Sequence, residues 1–285
     1  MPKIKFSLLS IIGGLTLLSS SAYAGVDAEV SYILNTLLFL IGGFLVMWMA
    51  AGFAMLESGL VTSKSVATIA AKNLGLYSIA GLVFWLVGYN LAYGISEGGF
   101  IGSFIPWSDA SSVDTGYSDG SDWFFQMVFC ATTCSIVSGT LAERIKIWPF
   151  FLFCAILAGV IYPIEMGWQW GGGHLAAAGF SDFAGSTLVH SAGAAAALAG
   201  ALLLGPRLGR FTDSGEAAPM APFASSSIPL ATLGVFILWM GWFGFNGGSQ
   251  LAMGSFDDST AVATIFINTN LAACAGVMAC AVVSR

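Results

Sequence analysis

ILNTLLFLIGGFLVMWMAAGFAMLESG, running from Ile33 to Gly59, carries one charged side chain, Glu57, among residues that are otherwise mostly Leu, Ile, Phe, Met, Val and small residues. As an α-helix rising 1.5 Å per residue it would be about 40 Å long, more than the roughly 30 Å of hydrocarbon in a bilayer. The rest of the chain has the same character. Of its 285 residues, 57% belong to the set AVILMFWYC and 8% are charged, and mean hydropathy is +0.85. A soluble domain carries about 25% charged residues, so a surface with this few charges faces lipid. That excludes a cytosolic enzyme and a disordered chain. The 9 Lys+Arg are outnumbered by 15 Asp+Glu and form no basic stripe, which excludes nucleic acid as a partner.

Segments of spanning length recur at about 33–59, 67–94, 123–142, 147–167, 182–205, 228–251 and 260–284. The expected fold class is an all-α polytopic membrane protein with about seven transmembrane helices. Residues 1–24 read as a secretory signal peptide: Lys3 and Lys5, an apolar stretch from Leu8 to Leu18, then Ala22-Tyr23-Ala24. The mature chain, 25–285, then begins outside. In that orientation the inner loops hold Lys64, Lys72, Arg144, Lys146, Arg207 and Arg210. The outer segments hold Asp27, Glu29, Glu97, Asp109, Asp114, Asp119, Asp122, Asp257 and Asp258. The positive-inside rule is met at every loop, and the expected location is the cell (inner) membrane. The acidic loop 95–121 suits an outer vestibule that concentrates cations, and equally a merely solvated loop. The inner loop 206–227, with Pro206, Pro219 and Pro222, should be irregular. Cys130, Cys134, Cys154, Cys274 and Cys280 all lie in apolar runs and read as small buried hydrophobes, with no metal or cofactor implied.

Ionisable groups at bilayer depth mark function by default. Glu57 sits near the inner end of the first span, within reach of the interface or Lys64, and Glu165 near the outer end of the fourth. Asp182 opens the fifth span as an N-cap would, accepting hydrogen bonds from orphan amides. His190 lies eight residues further, about 12 Å along a helix, towards mid-bilayer, where an imidazole serves a pore or proton relay. Phe125 and Phe129 are one turn apart on the third span. On the sixth, Trp239-Met240-Gly241-Trp242-Phe243-Gly244-Phe245-Asn246-Gly247-Gly248-Ser249 mixes rings and glycines and ends in a hydroxyl. Such a stripe serves core or lipid packing in most proteins. Together with Trp170 and a buried histidine, however, it suits a small cation held by ring faces in a narrow conduit.

These residues resemble the ammonium transporter family that includes the Rh proteins. The likeness is carried by Ala51-Gly52-Phe53-Ala54-Met55-Leu56-Glu57-Ser58-Gly59, Phe125-Gln126-Met127-Val128-Phe129, Gly139-Thr140-Leu141-Ala142-Glu143-Arg144, Trp170-Gly171-Gly172-Gly173, Asp182-Phe183-Ala184-Gly185-Ser186-Thr187-Leu188-Val189-His190 and Gly241-Trp242-Phe243-Gly244-Phe245-Asn246. The resemblance implies a homotrimer with one pore per subunit. It also implies an outer ammonium site at Phe125, Trp170 and Ser249, shaped by Asp182, with Phe129 and Phe245 as the stacked pair closing the vestibule. His190 would be the first of two pore histidines. The family has eleven spans in an inverted-repeat arrangement. Its second pore histidine lies on a later helix, which His174, in an outer loop, cannot supply. The chain is therefore expected to be a fragment of a longer protein, whose carboxy-terminal tail would be the point of regulation and whose partners would include a PII-type protein.

The implied activity is transport, not enzymatic catalysis. Ammonium would be recruited at the rings, deprotonated, and passed beside His190 as ammonia, which potassium cannot imitate. An ammonium sensor on the same scaffold is the alternative. A seven-helix photoreceptor would need a lysine in the last span, and 260–284 has none. A serine hydrolase built on Ser186 and His190 would need two residues of one helix to reach attack geometry.

Overall fold

The computed structural model describes residues 26–212, 214–217, 219 and 223–285. The leader peptide expected over 1–24 lies outside the described residues. Seven helices dominate: α1 (Ala28–Leu60), α2 (Ser63–Tyr93), α3 (Asp119–Leu141), α4 (Ile147–Gly167), α5 (His190–Leu204), α6 (Ile228–Gly248) and α7 (Phe256–Val283). All but α5 are long and apolar enough to cross a membrane. Among the described residues the only β-pairing is an isolated bridge between Phe211 and Ala217.

Helix starts follow local chemistry. Asp27 caps α1 by accepting from the Glu29 amide, Ser227 caps α6 through the Leu230 amide, and Ser255 caps α7 through the Asp258 amide. Asp119 and Asp122, or Asp257 and Asp258, sit in the first turns of α3 and α7, where the helix dipole favours negative charge. The helices alternate in direction, so one end of the bundle collects these acidic residues and the other the basic ones.

The main correction to the sequence expectation is the fifth span. Residues 182–189 are turns, not the start of a helix over 182–205, and α5 begins only at His190. Its 15 residues reach about 22 Å, less than the hydrocarbon thickness.

α3 is the central helix: 78% of its apolar window is buried, against 6% for α7. α1 and α6 pack together most closely, because glycines line the seam. A Cβ on Gly52 would come within 3.1 Å of the Gly234 carbonyl oxygen, and one on Gly244 within 2.6 Å of that of Gly42. Small residues of this kind let backbones approach where lipid offers no hydrophobic drive. α2 and α4 each contain one π-helical turn, Phe84–Gly88 and Leu157–Ile161, and the two turns pack side by side. The Ala158 carbonyl, in the second of them, accepts the Cys130 thiol at 3.3 Å. Cys130, Cys134 and Cys154 are buried thiols as expected, whereas on α7 Cys274 is half-buried and Cys280 exposed.

Glu57 is not at the interface and does not meet Lys64. Its Oε2 pairs with Lys72 Nζ at 3.1 Å and accepts from Ser138 Oγ at 2.8 Å, while Lys72 also donates to the Ser138 carbonyl at 2.7 Å. Glu57 and Lys72 are 5% and 3% exposed, so Lys72 belongs to the packed interior of α2 and not to a loop. At the basic end, Glu143 ties three segments together. It accepts from the Thr62 hydroxyl, the Thr62 amide (3.1 Å), Ser65 Oγ (2.8 Å) and Arg207 Nη1 (2.6 Å). These bonds hold it at φ +60°, a left-handed conformation uncommon outside glycine.

Removing one partner of a buried pair leaves an uncompensated charge, so Lys72→Met should cost about 3–5 kcal/mol in unfolding free energy, measured by denaturant titration in micelles. For Glu143, burial raises the pKa, but hydrogen bonds from Thr62, Arg207 and Ser65 outweigh it and pull the carboxyl from its ordinary 4.5 to about 2. Stability from a depressed carboxylate is present above the unfolded value and lost as pH falls through the folded one. Amide-exchange protection factors at the basic end, rates being taken relative to the intrinsic rate at each pH, should therefore stay high at pH 5 and fall between about pH 4.5 and 2. In Glu143→Gln they should be low already at neutral pH.

Candidate functional site

Phe125 and Phe129 project from the acidic half of α3, and rings from other helices close around them. Phe39 of α1 stacks on Phe125 at 5.5 Å, and Phe245 of α6 stacks on Phe129 at 4.0 Å and 25°. Trp170, just beyond α4, meets Phe129 edge-on at 5.9 Å. Ser249 ends α6 and donates to the Phe245 carbonyl at 2.8 Å. Phe125, Phe129, Trp170 and Ser249 line one cavity of about 310 Å³ at the acidic end of the bundle. Phe129 and Phe245 are each 1% exposed, so the stacked pair is a buried plug.

Asp182 organises the turn between α4 and α5. Its Oδ1 accepts from the Gly185 and Ser186 amides at 2.8 and 3.1 Å, and its Oδ2 from the Thr187 and Leu188 amides at 2.8 Å each. The carboxylate thus gathers orphan amides as a cap does, but on a compact turn ahead of the helix. Gly185 takes φ +86°, and a Cβ there would press on Trp170 and Val189. The Asp182 carbonyl accepts Trp170 Nε1–H at 2.7 Å, which fixes the indole. The carboxylate itself does not line the cavity.

The same turn aims His190. Its Nδ1 lies 3.0 Å from the Gly185 carbonyl oxygen, which can only accept, so Nδ1 carries a proton, and in the neutral tautomer Nε2 is the acceptor. The ring stands edge-on to Phe245 at 5.4 Å and is exposed on its remaining side. Ser186 makes no hydrogen bond to His190 among the described residues, and no cluster of three metal-ligating side chains occurs among them. His174 lies in a separate aromatic nest, stacked on Phe100 at 4.3 Å and near Trp168 at 5.0 Å.

A ring-lined cavity, a stacked plug and an imidazole beyond it thus succeed one another along the bundle. Residues 37–285 match the Ammonium Transporter Family. The chain belongs to that family. It is 43% identical over 247 residues to an ammonium transporter of Archaeoglobus fulgidus, covering 83% of this chain and 51% of the relative. To an ammonium transporter of Methanocaldococcus jannaschii it is 41% identical over 218 residues, covering 74% and 49%. A solved sensor Amt protein superposes with a TM-score of 0.80 at 34% identity, over 91% of this chain and 65% of that one. The chain spans about half the length of the curated relatives it matches.

Within this cavity the sequence reading gave no role to Asp122, Tyr89 and Gln126, which line it. Asp122 read as one of the outer acidic residues, yet it is 6% exposed. Its place three residues before Phe125, on one helix face, was an available signal; nothing local pointed to Tyr89. Glu165 instead borders an apolar groove between α4 and α5, away from the rings.

Asp182→Ala should leave at least two buried amides unsatisfied and cost at least about 3 kcal/mol. A change in Trp170 environment, read as a fluorescence difference from a Trp170→Phe control, checks it.

Proposed function

We propose that this chain forms the outer mouth, gate and first part of the pore of an ammonium transporter. The observation that carries the reading is the order of parts: a ring cavity, a plug of Phe129 on Phe245, and His190 set against the far side of Phe245.

Phe125, Trp170 and Ser249 receive ammonium, the rings through their negative faces and Ser249 through its hydroxyl. Asp182 acts through the backbone, holding Trp170 and the turn that aims His190. Potassium has similar size and the same charge, so ring faces alone discriminate weakly. Desolvation supplies the discrimination: it disfavours a charged amine and lowers its pKa by up to about 3–5 units. Ammonium can release a proton and continue as ammonia; potassium has none to release. With Nδ1–H directed at the Gly185 carbonyl, the Nε2 of the neutral tautomer of His190 accepts a hydrogen bond or a proton at that point. The proton travels separately along the pore histidines, which makes transport electrogenic. The open edge of His190 is the side on which the later helices of the full-length protein, with the second histidine, would pack.

In this reading the protein lies in the inner membrane with its amino terminus outside, assembles as a homotrimer, and in full length answers to a PII-type regulator. A sensing role is the second reading, favoured by the solved sensor Amt protein that covers 91% of the chain.

In full-length protein reconstituted in liposomes, His190→Ala should reduce ammonium-driven current at least tenfold or abolish the exclusion of potassium. Unchanged current with unchanged exclusion rejects the relay. Absence of any ammonium flux in the wild-type protein, with ligand binding intact, favours sensing.

A further inference from the structure

One carboxylate in the wall of the ring cavity has no role in the scheme above. Asp122 sits on the first turn of α3, facing the same cavity as Phe125 and Trp170, and is 6% exposed. Tyr89 Oη donates to its Oδ2 at 2.5 Å and Gln126 Nε2 to its Oδ1 at 3.2 Å. Both donors are neutral. The ion pairs among the described residues are Lys72 with Glu57 and Arg207 with Glu143, so no Lys, Arg or His pairs with Asp122 among them. Buried charges are normally paired or bound to a cation, and here the open side of the carboxylate is a cavity of about 310 Å³.

The neighbours suit a cation that carries N–H bonds. A carboxylate offers about four lone-pair positions, of which the two protein donors take two. Tyr89 spends its proton on Asp122, which leaves its oxygen as an acceptor towards the cavity and makes its ring more electron-rich. The Tyr89 ring lies 5.0 Å from that of Tyr93, and Tyr117 lies 4.8 Å from Phe39, so further ring faces border the same space. Asp119, the nearest other acid on α3, is engaged instead by the Ala110 amide at 2.9 Å.

We propose that Asp122, with Tyr89, forms a second cation position in this cavity beside the ring site, one that takes small protonated amines such as ammonium and methylammonium and raises their occupancy before the gate. The proposal rests on the reading of the cavity as an ammonium site. It differs in mechanism: ring faces hold a cation by quadrupole, whereas Asp122 supplies a full counter-charge.

The test is uptake of radiolabelled methylammonium by the full-length protein in liposomes, with KM and Vmax measured separately and surface expression checked. Asp122→Asn keeps the shape and removes the charge. Losing a charged hydrogen bond should raise KM about 10- to 100-fold, with Vmax within about twofold. Tyr89→Phe should raise KM by less, since the charge remains, and Asp122→Glu should restore part of the loss. A purely structural role would instead lower Vmax or the amount of folded protein at constant KM. Unchanged KM in Asp122→Asn alongside a raised KM in Trp170→Leu overturns the proposal and leaves the ring site standing. Unchanged KM in both overturns the ring-site reading as well. If Asp122→Asn does not reach the membrane, Tyr89→Phe carries the test, and a KM equal to wild type overturns the proposal.

Discussion

The carboxylate of Asp182 gathers four backbone amides within one turn of chain, and the geometry of the site depends on it. Inside a membrane an unsatisfied amide is costly, so a non-helical stretch survives only where its polar groups are met internally. Asp182 meets them. The turn it stabilises places two side chains at once: its carbonyl receives the Trp170 indole, and the Gly185 carbonyl, presented at φ +86°, receives His190. Trp170 and His190 are thereby held by one short piece of backbone.

Around that piece, the bundle separates charge by depth. Glu57 and Lys72 neutralise each other between α1, α2 and α3. Glu143 and Arg207 do the same at the basic end, where the staple joins the α1–α2 turn, the end of α3 and the chain after α5. Asp122 is buried without a cationic side-chain partner among the described residues, and it borders the cavity. The glycine seam between α1 and α6 brings Phe39 and Phe245 against successive rings on one face of α3, so that backbone proximity sets ring stacking.

Much of this was legible in the sequence. Hydropathy located six of the spanning helices to within a few residues, and the i,i+4 spacing of Phe125 and Phe129 put both rings on one face. The family motifs named Trp170, Ser249, Phe245 and His190, which the fold brings to one line. The misreadings share a cause. An aspartate before an apolar run looks like a helix cap, and the same amide-gathering chemistry serves a turn equally well, so helix onset was placed at 182 instead of His190. Lys72 looked like a loop cation because Lys64 and the span boundary lie nearby, yet its partner Glu57 is on the neighbouring helix.

What the sequence determined by itself is whatever a segment encodes alone: which stretches prefer lipid, which end of each is acidic, where a cap or a ring pair must fall. Only the tertiary structure decided which polar groups meet, as in Tyr89 with Asp122, Lys72 with Glu57 and Thr62 with Glu143. The reason is physical. Helix propensity and hydropathy are summed along the chain, whereas the rotation and register that bring two side chains within 3 Å are set by glycine-mediated packing between helices far apart in sequence.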